Sequence, residues 1–350
     1  MSDNMGININ KVQLDNYVFS GIDASLVGAI KSVADYYQFP LTTSWIYGMS
    51  GLAFLHVLDE NLMEPNGGPS EPEVFNLVRN IGLEIDGLHV YAEGEDFSNL
   101  QAVAWEKAQL AITSKQPVFA KNIDIGSQTS VIYAYDEVGY YTRTWHTGYE
   151  NSEDVIPWNL LGLSQCPCIN CENYRNSINQ TVNLESGLIS LHWANPIQPV
   201  DELTAFKETL EFVIRLNEEG SYVWAGKTYL VGSKAYEKWL TALESDSVDK
   251  YFFSLFVEIL YEARSHAIKF LSEIKGRNFG ISEQLIDASI NKYSDVSAEY
   301  KILRDMYPYQ EPRDSEIKQK EQCIAIVAKL HQLEMDCLKF IKKIHKSISQ

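Results

Sequence analysis

The chain has 350 residues, of which 45% are hydrophobic and 22% charged, so it can bury a full core and form two domains or one enlarged domain. A formal net charge of -18 at pH 7 disfavours nucleic acid and anionic membranes as partners, because both would repel the protein at long range. No stretch approaches about 18 uninterrupted apolar residues and the first residues lack a signal-peptide pattern, so we expect a cytoplasmic protein without a membrane span.

Helices and then strands are predicted in the first half of the chain. Helical periodicity begins near Asp23, which is the expected N-cap of the first helix. The predicted helices of this half are 23–38, 43–48, 73–81 and 97–114. Segments rich in β-branched and aromatic residues predict strands at 83–91, 117–123, 129–135, 140–145 and 188–193. Turn residues at 136–139 indicate an antiparallel meander.

The second half is predicted to be helical throughout. Its expected helices are 203–218, 234–244, 248–275, 283–306 and 316–347. The sequence therefore predicts an α+β protein, with an N-terminal domain over 1–200 and an all-helical domain over 201–350. The last helix carries a continuous apolar stripe, which leaves open a structural or assembly role through a homodimer.

Three segments, 29–54, 116–136 and 232–239, carry a resemblance to a known family. In this order they resemble the start, the central strand pair and the helical extension of the butirosin-biosynthesis H-protein N-terminal family. The resemblance implies a papain-like fold, in which a cysteine at the start of the first helix is the nucleophile and a histidine from the sheet is its base. It also implies acyl or aminoacyl transfer in specialised metabolism, from a substrate on a carrier protein, or peptidase-like amide chemistry.

Two catalytic positions of that family are not matched in this chain. The cysteine is expected at 20–23, which contains Ser20 and Asp23 but no thiol. The histidine position falls on Gln128, which cannot accept a proton at neutral pH. The third, orienting position lies near His146. We therefore expect a catalytically altered relative that binds an acyl or peptidyl small molecule, or the carrier protein that holds one.

The pocket is expected between the start of the first helix and the edge of the meander. Six residues are predicted to line it: Ser20, Asp23, Gly48, Ser50, Gln128 and His146. The glycine-rich segment 45–54 would let the backbone approach a ligand closely, and a tight helix–helix corner is the alternative explanation. An active acyltransferase or amide hydrolase is the rival hypothesis, with Ser20 and His146 as substituted catalytic residues and Ser25 as another hydroxyl at the helix start.

The densest group of reactive side chains is formed by Cys166, Cys168 and Cys171. Five cysteines without a secretion signal indicate reduced thiols rather than disulfides. The preferred interpretation is a loop without a metal, so no cofactor is predicted. Zinc binding and redox chemistry are alternatives, and for zinc a fourth ligand is required from His146 or His192.

Overall fold

The structure is a computed structural model that describes residues 11–63, 68–69, 71–126, 128–146, 151–177, 183–224, 226–309 and 316–349. Its helices are α1 (Ser25–Tyr36), α2 (Thr43–Met49), α3 (Glu71–Asn80), α4 (Gly94–Thr113), α5 (Ile169–Ser177), α6 (Glu202–Glu219), α7 (Ser233–Glu244), α8 (Lys250–Lys275), α9 (Glu283–Met306) and α10 (Lys320–Ile348). Its strands are β1 (Val12–Gln13), β2 (Val57–Asp59), β3 (Leu83–Glu93), β4 (Val118–Lys121), β5 (Thr129–Tyr135), β6 (Gly139–Arg143), β7 (Ile156–Pro157), β8 (Ser186–Pro196), β9 (Ser221–Trp224) and β10 (Lys227–Val231). The protein is thus a mixed α+β protein with antiparallel sheets and a helical C-terminal region.

Contacts within the chain define two compact units. The first comprises Met1–Pro40 and Glu84–Pro196, and the second comprises Leu41–Leu83 and Ile197–Gln350. This division and the predicted one at residue 200 differ in the placement of 41–83, which contributes α2, α3 and β2 to the second unit. Segment 41–83 belongs to the second unit because α2 buries its apolar side chains against α8.

A seven-stranded sheet organises the first unit. Its strands follow the order β3-β8-β4-β5-β6-β7, and β1 pairs with β5. Strand β4 pairs antiparallel with both β5 and β8, so Lys121 lies opposite Thr129 on one side and Ser190 on the other. Helix α1 contacts β5, and its residues Val27, Ile30 and Val33 are fully buried. The predicted meander is therefore present as β4, β5 and β6.

Long helices dominate the second unit, but it also contains a sheet. The prediction of an all-helical C-terminal domain is wrong in this respect, because β9 and β10 pair antiparallel and β2 adds to β10. Tyr222 and Tyr229 face each other across the hairpin with stacked rings 5.1 Å apart. Gly226, with a φ of 75°, occupies the turn, where a side chain would be strained.

The helices of the second unit bury a charged group as well as apolar ones. Helices α8, α9 and α10 pack together around fully buried side chains such as Phe270 and Tyr300. Among them lies Arg264, which has no exposed surface and pairs with Glu334. None of the helices in the described ranges combines the length and the apolar character that crossing a membrane requires.

Candidate functional site

The start of α1 lies against the start of β5. Ser25 is the first residue of α1, and its Oγ accepts a hydrogen bond from the backbone amide of Thr129, the first residue of β5, at 3.0 Å. Gln128 directly precedes this strand and is partly buried. Its backbone carbonyl oxygen accepts a hydrogen bond from the backbone amide of Asn122. The position of Ser25 therefore combines a helix N-terminus with a hydroxyl that faces the strand.

Ser20 has a local structural role before this helix. Its hydroxyl donates to the carbonyl oxygen of Gly28 at 2.9 Å, and its amide donates to the hydroxyl of Ser32 at 3.0 Å. Asp23 is partly buried and lies two residues before the helix. The prediction of Asp23 as the N-cap is wrong by one residue, because the N-cap of α1 is Ala24. The methyl side chain of alanine cannot accept a hydrogen bond from the helix, so α1 has no side-chain cap. The helix is held at this end by the Ser20 loop and the Thr129 amide instead.

A cleft of about 260 Å³ lies beside the chain segment that leads into α1. Its lining residues are Val18, Phe19, Gly21, Arg143, Thr144, Trp145 and Asn151. The indole Nε1 of Trp145 donates to the carbonyl oxygen of Ile22, and the rings of Phe19 and Trp145 meet edge to face at 6.4 Å. The end of β6 and the segment before α1 therefore form two walls of the cleft, and the hydrogen bond from Trp145 to Ile22 joins them.

Arg143 places a positive charge at the wall of this cleft. Its guanidinium lies over the ring of Tyr133 at 4.0 Å and pairs with Glu153 at 2.8 Å. A hydrogen bond from Lys11, followed by those from Arg143 and Tyr133, lowers the pKa of Glu153 to about 2 against the opposing effect of burial. Glu153 is thus ionised at neutral pH and holds both cations in place.

Four potential metal ligands lie close together, and the first of them, His146, directly follows Trp145. His146, Cys166, Cys168 and Cys171 each offer one ligand atom, and all four atoms lie within 4.8 Å of one another. The Nε2 atom of His146 is 3.0 Å from the Sγ of Cys171 and 3.3 Å from the Sγ of Cys168. Of the two histidines considered from sequence, His146 is therefore the one that meets the thiols.

The backbone around these thiols is arranged to stabilise negative sulfur. The amide of Cys168 donates to the Sγ of Cys166, and the amide of Cys171 donates to the Sγ of Cys168, each at 3.4 Å. Burial raises the pKa of the Cys166 thiol above its ordinary value, the hydrogen bond from the Cys168 amide opposes this rise, and the neighbouring thiols add to it. Arg175, on the same short helix as Cys171, donates to the carbonyl oxygen of Cys166 at 2.8 Å.

A buried polar network connects the thiols with the wall of the cleft. The Oδ1 atom of Asp124 accepts from the hydroxyl of Ser130 at 2.8 Å, and this hydroxyl lies 3.2 Å from that of Thr144, which lines the cleft. The carbonyl oxygen of Asp124 accepts from the amide of Cys166 at 2.9 Å. Asp124 itself is fully buried. Ser130 of β5 thus links Thr144 in the cleft wall to Asp124, and Asp124 is in turn bonded to Cys166 of the thiol cluster.

His192, the other histidine considered as a zinc ligand, contacts a serine instead. Its Nε2 atom is 3.1 Å from the Oγ of Ser190, which is also 3.0 Å from the Nδ1 atom of His89. The three residues lie on the neighbouring strands β3 and β8. Sequence reasoning did not identify this group, although the alternation of Ser190 and His192 along a predicted strand places both side chains on one face.

Gly48 and Ser50 belong to the second unit, where packing accounts for both. A Cβ atom on Gly48 would lie 2.2 Å from the ring of Phe270, so only glycine lets α2 approach α8 this closely. Ser50 is fully buried, and its hydroxyl donates to the carbonyl oxygen of Tyr47 at 3.2 Å. These contacts favour the helix–helix corner over a ligand contact for this segment.

No protein-family model matches this chain, and no curated protein sequence matches it.

Proposed function

We propose that the first unit is a catalytically altered papain-like domain that binds an acyl or peptidyl small molecule, free or attached to a carrier protein. The observation that supports this proposal is the hydrogen bond between the Oγ of Ser25 and the amide of Thr129. In a papain-like enzyme, a thiol at the helix start faces an imidazole from the sheet. Under this proposal the corresponding positions are those of Ser25, with a hydroxyl, and of Gln128, which precedes Thr129 and carries a carboxamide.

The chemistry of these groups supports a function without covalent catalysis at this position. A serine hydroxyl requires an adjacent base, and a carboxamide such as that of Gln128 is not one at neutral pH. The Nε2 atom of His146 lies beside two thiols, and Ser20 directs its hydroxyl to a helix carbonyl. The proposed function is therefore recognition of the ligand, without an acyl-enzyme intermediate.

The cleft beside α1 has the chemistry that such a ligand requires. Phe19 and Trp145 offer apolar faces for an acyl chain or an aromatic side chain. Arg143, whose guanidinium already pairs with Glu153, adds positive charge that favours a carboxylate or a carbonyl oxygen, and Thr144 lies beside it. A pocket with apolar walls and few polar groups is the usual form of a small-molecule site.

The test is a binding experiment combined with intact-mass analysis. The protein is titrated with N-acyl amino acids, acyl-pantetheine thioesters and short peptide amides, with calorimetry as the readout. We expect saturable binding by at least one class, weakened about tenfold or more by Trp145→Ala and unchanged by the control Trp224→Ala in the second unit. A mass increase on Ser25, or turnover that Ser25→Ala abolishes, would overturn the non-covalent proposal, and so would failure of every class to bind.

The second candidate function is an active acyltransferase or amide hydrolase. It is favoured by the contacts of Ser190, whose hydroxyl has an imidazole nitrogen of His89 at 3.0 Å and one of His192 at 3.1 Å. A serine beside an imidazole base is the usual arrangement of an activated hydroxyl nucleophile. Ser190 is only 1% exposed, so acylation requires the residues that cover it to move. Labelling by a fluorophosphonate that Ser190→Ala abolishes supports this candidate, and an unlabelled wild-type protein excludes it.

A further inference from the structure

We propose that His146, Cys166, Cys168 and Cys171 bind one structural zinc ion. The four ligand atoms lie within 4.8 Å of one another although they come from two separate segments of the chain. In a tetrahedral zinc site, bonds of about 2.0 Å to nitrogen and about 2.3 Å to sulfur place the ligand atoms about 3.5–3.8 Å apart. Movements of about 1 Å or less by side chains are enough to reach that geometry.

The type and number of ligands favour zinc over other metal ions. Three thiolates and one imidazole are soft and borderline ligands, which disfavours magnesium and calcium. Four protein ligands fill a tetrahedral coordination sphere and leave no position for a catalytic water, which is typical of a structural site. Binding converts three thiols into thiolates, so up to three protons are released to solvent.

The surroundings of the sulfur atoms provide the second, independent support. Backbone amides of Cys168 and Cys171 already donate to the sulfur atoms of Cys166 and Cys168 at 3.4 Å. Three thiolates around a divalent ion leave one net negative charge, and such amide donors stabilise it. Arg175 adds a guanidinium, which donates to the Cys166 carbonyl oxygen at 2.8 Å.

The role of the ion follows from where its ligands are attached. His146 directly follows Trp145 in the wall of the cleft, whereas Cys166 is tied by its amide to the Asp124 carbonyl oxygen at 2.9 Å. Cys171 lies in α5. The ion therefore joins the end of β6 to the start of α5, which the Cys166 amide ties to the segment after β4, and fixes the wall that carries Thr144 and Trp145. This inference does not depend on what the cleft binds.

The test is metal analysis of the full chain purified without chelators. We expect about one zinc per chain, with iron and copper far below that ratio. After zinc removal under reducing conditions, Co²⁺ should produce the visible bands of tetrahedral coordination together with a sulfur-to-cobalt charge-transfer band. A folded protein that contains no zinc and takes up neither Zn²⁺ nor Co²⁺ overturns the proposal.

Matched variants assign the ligands. Cys171→Ser and His146→Ala should lower zinc affinity by more than about tenfold, because each leaves three ligands. His146→Cys preserves four ligands and should retain about one zinc. Cys337→Ala, a buried cysteine of α10, is the control and should also retain the ion. Zinc stoichiometry and affinity unchanged in both Cys171→Ser and His146→Ala would exclude this site. The wild-type cobalt spectrum decides the matter if those two variants do not fold.

Discussion

The Oγ of Ser25 accepts a hydrogen bond from the backbone amide of Thr129 at 3.0 Å, across 104 residues of sequence. This contact joins the first residue of α1 to the first residue of β5. It also satisfies a strand amide that would otherwise lose its partner on burial. The start of the helix and the start of the strand are thereby brought to one place, with Gln128 next to it.

Placing a cysteine at Ser25 and a histidine at Gln128 tests whether this geometry suits a nucleophile and its base. Ser25→Cys alone should yield a thiol of ordinary reactivity, whereas Ser25→Cys with Gln128→His should react with iodoacetamide about tenfold faster, because a nearby imidazole stabilises the thiolate. Peptide mass analysis separates this position from the native cysteines. Ser25→Cys with Gln128→Asn is the control, and equal alkylation rates in the two double variants would show that residue 128 does not face the helix start.

Local sequence pattern predicts most strands of the first unit but not those of the second. The strand predicted at 129–135 is observed as Thr129–Tyr135, because its β-branched and aromatic residues suit a buried strand. Strand β2 has only three residues, too few for any period to be visible. The β9–β10 hairpin did carry a signal, since Gly226 separates two aromatic, β-branched runs, but the helical patterns on both sides concealed it.

The candidate site was less predictable, because it depends on contacts between distant segments. Sequence spacing identified the three thiols, and it left His146 and His192 as equal candidates for the fourth position. Only the tertiary structure places the Nε2 atom of His146 at 3.0 Å from Cys171 and that of His192 beside Ser190. The first helix was likewise expected to start at residue 23, whereas it starts at Ser25, whose contact with Thr129 spans 104 residues and leaves no local pattern in the sequence.

Gly48→Ala should destabilise the second unit by about 1–3 kcal/mol, through overpacking. The added Cβ would lie 2.2 Å from the Phe270 ring, which is fully buried and has the rings of Trp45 and Phe54 beside it. Gly276→Ala is the control, because its Cβ would lie 3.5 Å from the nearest atom, the Glu273 carbonyl oxygen. Chemical denaturation followed by circular dichroism measures both, and equal stabilities would refute the packing role of Gly48.

The buried pair of Arg264 and Glu334 should show strong coupling in a double-mutant cycle. Their side chains are 0% and 6% exposed, and the Arg264 Nε lies 2.5 Å from a Glu334 oxygen. Arg264→Met and Glu334→Leu should each cost about 3–5 kcal/mol, because each leaves an uncompensated buried charge. The double variant should cost clearly less than the sum of the single variants. Additive losses in urea unfolding would show that the two charges are not coupled.

Acidification should weaken the second unit because two of its histidines resist protonation when folded. Burial, followed by the charge of Lys269, lowers the pKa of His266 to about 4. Burial, followed by the charges of Arg264 and His331, lowers the pKa of His56 well below its ordinary value. Between pH 6.5 and 4 the unfolded chain therefore binds protons that the folded chain does not, so the free energy of unfolding falls as the pH falls.

Each such imidazole contributes a slope of up to about 1.4 kcal/mol per pH unit in this window, so the pair contributes up to about 2.7 kcal/mol per unit. His266→Asn should remove roughly half of that slope. Ser44→Ala is the matched control, because it removes the hydroxyl 2.9 Å from the Nδ1 atom of His266 and leaves the imidazole stacked on Tyr47. Denaturant titrations at several pH values measure the slope. The same slope in His266→Asn and in the wild-type protein would contradict the assignment, since the imidazole itself must carry the effect.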